Sequence, residues 1–253
     1  MMEWIKPDTH FDFVGKMKPA SAFSIALILL TIASLVWHGG LNFGIDFAGG
    51  TLIQIKFQRE PAPDLMRSAF RAVGLNDSVI LQIGENEVVV RTAATQSDMR
   101  GLSDRIAASL EALEGKGTFE IRRVEVVGPK VGKDLTRKAI LALIFSWVGM
   151  LIYIAWRFEF RYALGGIIAL VHDTVISIGA LSILDKEFTL TIVAALLTIV
   201  GYSINDTIVV FDRIRENARK NVKQPLSEVI NTSINETLSR TILTSFTVFL
   251  VLL

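Results

Sequence analysis

Ionisable residues inside long apolar runs are the strongest chemical signal in this sequence. Asp206 follows Asn205 within the run Phe188 to Phe211, and His172-Asp173 sits near the middle of Tyr162 to Leu184. A charge at the centre of a membrane span costs about +2.5 to +3.5 kcal/mol on insertion scales, so each such group is a functional candidate. Around Asp206 the run carries more than a lone acid. Thr191, Ala195, Thr198, Tyr202 and Asn205-Asp206 recur at three- and four-residue steps, a small and polar stripe along one helix face. Thr198, Tyr202 and Asn205 can serve as hydrogen-bonding glue between helices, or support a relay. Asn in place of Asp206 would give glue without the cost of a charge, which favours a titrating role for the acid. A carboxyl in a low-dielectric site holds its proton more tightly than in water, the property a proton relay needs.

Asp173 has two open readings, a hydrogen bond that fixes a helix contact or membership of the relay. His172, about 100° away around a helix, reads as structural or as polar support for the relay, and need not face the same partner. Arg240 opens the last apolar run. It is either a cation snorkelling to the interface or a counter-charge for an acid such as Asp206. Glu159, Arg161 and Asp212 lie at the ends of runs and read as interfacial charges.

The elements that must position these groups follow from the hydropathy. The chain has 253 residues, 51% hydrophobic, with net charge +1 and mean hydropathy +0.47. Pro19 to Ile45 and Ala139 to Trp156 contain no Asp, Glu, Lys or Arg. Such runs approach or exceed the ~20 residues needed to cross a bilayer as a helix. Spans are therefore predicted at 20–38, 139–156, 162–184 and 188–211. A fifth apolar run, Thr241 to Leu253, is too short to span and reads as a helix cut off by the end of the sequence. The first span lacks small cleavage-site residues, Trp37-His38 standing in their place, so it reads as an uncleaved anchor. There is no cysteine, which excludes disulfides and thiolate metal sites, and no metal or other cofactor is expected. The near-neutral charge gives no nucleic-acid signal.

Basic residues fall beside the spans. Lys6, Lys16 and Lys18 precede the first, Arg157 and Arg161 join the second to the third, and Arg213, Arg215, Arg219, Lys220 and Lys223 follow the fourth. These share one side and place the N-terminal segment 1–19 in the cytoplasm. Lys133, Arg137 and Lys138 are a weaker counter-signal. Residues 39–133 are then extracytoplasmic. Strands are predicted at Thr51–Phe57, Val79–Ile83, Val88–Arg91 and Phe119–Val127, and helices at Pro63–Val73 and Ser97–Leu113. The order β-α-β-β-α-β is that of a ferredoxin-like α+β domain. Within 134–253 the remaining spans are joined by a cytoplasmic amphipathic helix at about 225–239, whose apolar face suits the lipid surface or the bundle.

The run Gly44-Ile45-Asp46-Phe47-Ala48-Gly49-Gly50 lacks the Gly-Lys-Ser/Thr ending of a phosphate loop, and a strand rather than a helix follows it. Gly44, Asp46, Gly49 and Gly50 read as a tight junction between the first span and the first strand.

Four motifs together resemble the SecF branch of the SecD/SecF protein-export family. They are Gly44 to Gly50, matching G-x-D-F-x-G-G; His172-Asp173; Ile199 to Asn217, matching the fourth-helix signature; and Arg240-Thr241-Ile242-Leu243-Thr244-Ser245. The resemblance covers nearly the whole chain. It implies a half-bundle related to the RND transporter superfamily, six helices in the family and five begun here, with no enzymatic activity. It further implies pairing with SecD, association with the SecYEG channel and its accessories YajC and YidC, and contact with translocating precursors in the bacterial inner membrane. The proton gradient would drive late steps of translocation, with Asp206 as the proton-relevant acid and Arg240 as the functional cation. Half of an RND-type small-molecule exporter is the alternative. An intramembrane aspartyl protease built on Asp173 and Asp206 is disfavoured, because His172 and Asn205 stand where those enzymes carry Tyr or Gly.

Overall fold

The computed structural model describes residues 9–75, 78–92, 99–115 and 117–252. Lys6 and the start of the N-terminal segment lie outside them. The chain divides into two compact units, one of residues up to 41, 143–186 and 194 onward, the other of 42–142 and 187–193.

The second unit holds an antiparallel sheet with strand order β2-β3-β1-β4, built from β1 (Gly50–Phe57), β2 (Val79–Gln82), β3 (Glu87–Thr92) and β4 (Phe119–Val127). Helices α3 (Pro63–Ala72) and α4 (Met99–Glu114) follow β1 and β3, which gives the ferredoxin-like order. Period-two burial explains the central strand: Thr51, Ile53, Ile55 and Phe57 are buried, and Lys56 is exposed. The buried face packs against Met66 and Phe70 of α3 and Ile106 and Leu110 of α4. Pro63 suits the first turn of α3. Gly74, at φ +84°, ends it in a conformation that side chains disfavour. Pairing of β1 with β4 slips by one residue at Gln54/Ile55, a bulge that inserts Arg122 into the ladder.

The first unit is helical, and the opening stretches of two of its helices, residues 129–142 and 190–193, belong to the second unit. Among the described residues, four helices are long and apolar enough to cross a membrane: α1 (Met17–Trp37), α5 (Pro129–Arg157), α6 (Phe160–Ile183) and α7 (Leu190–Lys220), with mean window hydropathies of 2.2, 2.2, 1.8 and 1.7. Side chains such as Phe23, Leu29, Phe145 and Ile168 are exposed, as lipid-facing residues must be. Inward packing centres on Ile154, Leu170, Val200 and Ile204. Helix α1 meets α6 where Gly179 lies beneath Thr31, and Ser34 Oγ lies 2.9 Å from Ser182 Oγ.

Several bounds differ from the sequence reading. Helix α5 begins at Pro129, so the 133/134 boundary falls inside it. Helix α7 continues past Phe211 to Lys220, because the charged residues that end the apolar run are good helix formers. The amphipathic segment and the last apolar run form one helix, α8 (Leu226–Leu252). Nothing around Arg240 breaks it.

Helix α8 also grips the chain ahead of α1. The Asn235 amide accepts from Phe11 N–H and donates to the Phe11 carbonyl, both at 2.9 Å. One turn earlier, Asn231 accepts from Phe13 N–H at 2.8 Å and Val14 N–H at 3.2 Å, and donates to the Phe11 carbonyl at 3.0 Å. Four residues apart, the two amides share a helix face.

Candidate functional site

Helices α6, α7 and α8 position the acids. Asp173 is half-buried on α6. Its Oδ2 accepts a hydrogen bond from Ser203 Oγ of α7 at 2.5 Å, and its Oδ1 lies 3.0 Å from His172 Nδ1. The two adjacent side chains fold together across their shared stretch of backbone. The other ring nitrogen, His172 Nε2, is buried without a hydrogen-bond partner among the described residues.

Asp206, three residues beyond Ser203, is half-buried. Its Oδ1 accepts from Thr244 Oγ1 of α8 at 3.4 Å. That hydroxyl has one proton and two nearer acceptors, the carbonyls of Thr241 at 2.9 Å and Arg240 at 3.1 Å. The Asp206 carboxylate is therefore poorly supplied with donors. Arg240 is exposed, and its guanidinium makes no ion pair or hydrogen bond among the described residues. The counter-charge contact with Asp206 is not formed here. Asp173 and Asp206 share no hydrogen bond either, as the shared-proton dyad of a protease requires. They connect to different neighbours, Ser203 and Thr244.

The polar stripe of α7 points away from its own bundle. Thr198, Tyr202 and Asn205 are exposed, and the opposite face, with Leu196, Val200 and Ile204, is buried. Thr198 Oγ1 donates to its own helix at Ala194 O, 2.9 Å away. The glue role within this chain is not realised among the described residues. Ser203 and Thr244 were missed as partners of the acids. Each lies inside a run singled out by its motif, and single-helix spacing does not reveal which acid a hydroxyl meets.

Asp46 and the glycines around it form a structured turn. Gly44 precedes a short helix, α2 (Ile45–Ala48), Gly49 follows it at φ +76°, and Gly50 opens β1. Asp46 Oδ2 accepts the Leu190 N–H at the start of α7, 2.8 Å away.

A sequence model of the family described as protein export membrane protein SecD/SecF, C-terminal, matches residues 106–253, and one of the SecD/SecF GG motif matches 35–60. The chain is 49% identical over 227 residues to the protein translocase subunit SecF of Magnetococcus marinus, covering 88% of this chain and 73% of that one. It is 45% identical over 256 residues to the SecF of Calditerrivibrio nitroreducens, covering 100% and 84%. A crystal structure of SecDF from Thermus thermophilus, described as a translocon-associated membrane protein, superposes with TM-score 0.84 at 36% identity. The match covers 96% of this chain and 33% of that one, so the chain spans a third of the SecDF polypeptide. A second SecDF structure, in a super-membrane-facing form, gives TM-score 0.66 at 35% identity, covering 97% and 33%.

Fold and site together define a helical membrane protein with an α+β domain inserted between its first two spans. The chain belongs to the SecD/SecF family of protein-export membrane proteins, on the SecF branch.

Proposed function

We propose that this protein uses the proton motive force to promote late steps of protein translocation, with Asp206 as the group that loads and releases the proton. The observation that carries the reading is the state of Asp206: an acid inside a membrane helix whose hydroxyl donor, Thr244, has nearer acceptors. A charge held inside a membrane helix is costly. Protonation removes the charge, changes how α7 packs against α8, and moves the outer domain between two arrangements. A potential of 100 mV supplies ~2.3 kcal/mol per charge moved, and a pH difference adds to it. Arg240, one turn from Thr244, answers the charge in another arrangement. Protons are the coupling ion, no cofactor takes part, and the protein carries out no covalent chemistry.

The exposed polar face of α7 supports a second half-bundle as partner, because hydroxyls and amides turned to lipid are costly. SecD is the proposed partner, the pair acting at the SecYEG channel with YajC and YidC on precursors emerging from it. The basic loops support a bacterial inner-membrane location with the N-terminus in the cytoplasm.

The test is precursor export in cells depleted of their own SecF and supplied with this protein, unaltered or carrying Asp206→Asn. The variant is expected to insert and to bind SecD, with export still defective. Full export by Asp206→Asn would show that no titrating group is needed at this position.

A further inference from the structure

The glycine-rich turn at residues 44–50 holds the first turns of two membrane helices, α5 and α7, against the sheet domain. On the α5 side the packing is backbone to backbone. A Cβ added at Gly132 would meet Phe47 O at 2.7 Å, and one at Gly49 would meet Val127 O at 3.2 Å and Pro129 Cα at 3.3 Å. On the α7 side, Phe188 N–H donates to Asn42 O at 2.7 Å and Gly44 N–H donates to Phe188 O at 2.9 Å, a short parallel bridge. Arg91 of β3 pairs with Glu187 at 3.0 Å beside it.

Asp46 completes this joint. The first turn of a helix has N–H groups with no partner inside the helix. In α7, Thr189 Oγ1 accepts from Ile192 N–H at 3.4 Å, and Asp46 Oδ2 takes the Leu190 N–H at 2.8 Å. Asp46 thus does a capping residue's work from 144 positions away, and its charge suits the positive end of the helix. The capped helix also carries Asp206, sixteen residues further along.

We infer that Asp46 is a positioning residue that ties the sheet domain to α7, so that a shift of α7 on protonation of Asp206 is passed to that domain. This inference rests on the proton-driven reading above. It gives the Asp of the motif a task distinct from that of its glycines. The glycines allow close approach, and the carboxylate grips one helix end.

The experiment compares Asp46→Ala, which removes the cap, with Asp46→Asn, which keeps an acceptor oxygen. Hydrogen exchange is read on the purified complex in nanodiscs, without a gradient. Asp46→Ala is expected to speed exchange at the Leu190 amide by about fivefold, as loss of one cap implies. Asp46→Asn should stay near the unaltered rate. In cells, Asp46→Ala should lose most of the export that depends on the proton gradient and match the unaltered protein once the gradient is collapsed. Unchanged exchange in Asp46→Ala would overturn the inference. So would an export defect equal with and without the gradient, or Asp46→Asn behaving like Asp46→Ala. Failure of the proton reading looks different: Asp206→Asn then exports normally.

Discussion

Ser203 holds Asp173 from the neighbouring helix, its hydroxyl 2.5 Å from the carboxylate oxygen Oδ2. The acid on α6 is thereby paired across a helix interface, and Asp206 on α7 is left with a long contact to Thr244. Ser203→Ala removes the donor and leaves the Asp173 oxygen without that partner. Interhelical hydrogen bonds in membranes average about 0.6 kcal/mol, with a maximum near 1.7. We expect a loss in this range, towards its upper end because the acceptor is a carboxylate. Reversible unfolding in bicelles measures it, and a variant as stable as the unaltered protein would show that the contact contributes nothing.

Gly179→Ala tests the crossing of α1 and α6. The new Cβ would collide with Thr31 Oγ1 and lie 2.8 Å from both Thr31 Cβ and Cγ2, so a rotamer change at Thr31 cannot clear it. The helices must separate, at a cost of about 1–3 kcal/mol. The thermal midpoint of the detergent-solubilised protein is expected to fall. A partner change of Thr31→Ala, which removes both offending methyl and hydroxyl groups, should restore part of the loss.

Glu236 gives a pH dependence. Burial opposes its ionisation, but hydrogen bonds from Asn217 at 2.7 Å and Arg213 at 2.6 Å outweigh that and hold its carboxyl below the ordinary value of 4.5. A depressed folded-state value means that ionised Glu236 stabilises the fold above about pH 4.5, an advantage lost as pH falls through the folded value. Glu236→Gln is therefore expected to be less stable than the unaltered protein at pH 7. The two should converge as pH falls through the folded value, below 4.5. Denaturant midpoints across that range check the sign, and a gap that widens in acid would contradict it.

Asn235→Leu removes both hydrogen bonds to Phe11 while keeping an apolar volume on α8. Exchange at the Phe11 amide is expected to rise by about tenfold, as loss of a native hydrogen bond worth about 1 kcal/mol or a little more allows. Phe13, held by Asn231 at 2.8 Å, should change less. Equal loosening at both amides would mean that the two Asn side chains act as one unit.

Much of the architecture is legible in the sequence because it depends on local periodicity. The alternation through Thr51, Ile53, Ile55 and Phe57 marks a strand with one buried face, and charge-free stretches mark the membrane helices. The site is legible only in its acids. Asp173 and Asp206 stand out because a charge in an apolar run is costly wherever the helix sits. Their partners do not, since Ser203 and Thr244 are ordinary helix residues until α6, α7 and α8 are placed side by side. The cap at Leu190 is hidden for the same reason, its acceptor being supplied from the far side of the sheet domain's sequence. The outward turn of Thr198, Tyr202 and Asn205 was also undetermined, because spacing defines a stripe without saying which way it faces.

The grip of Asn231 and Asn235 on residues 11–14 has an evolutionary consequence. Both amides bond the main chain alone, through N–H and C=O groups that nearly every amino acid supplies. The spelling of this segment is thus free to drift while its attachment persists. Proline is the exception, for it would delete a donor at Phe11, Phe13 or Val14.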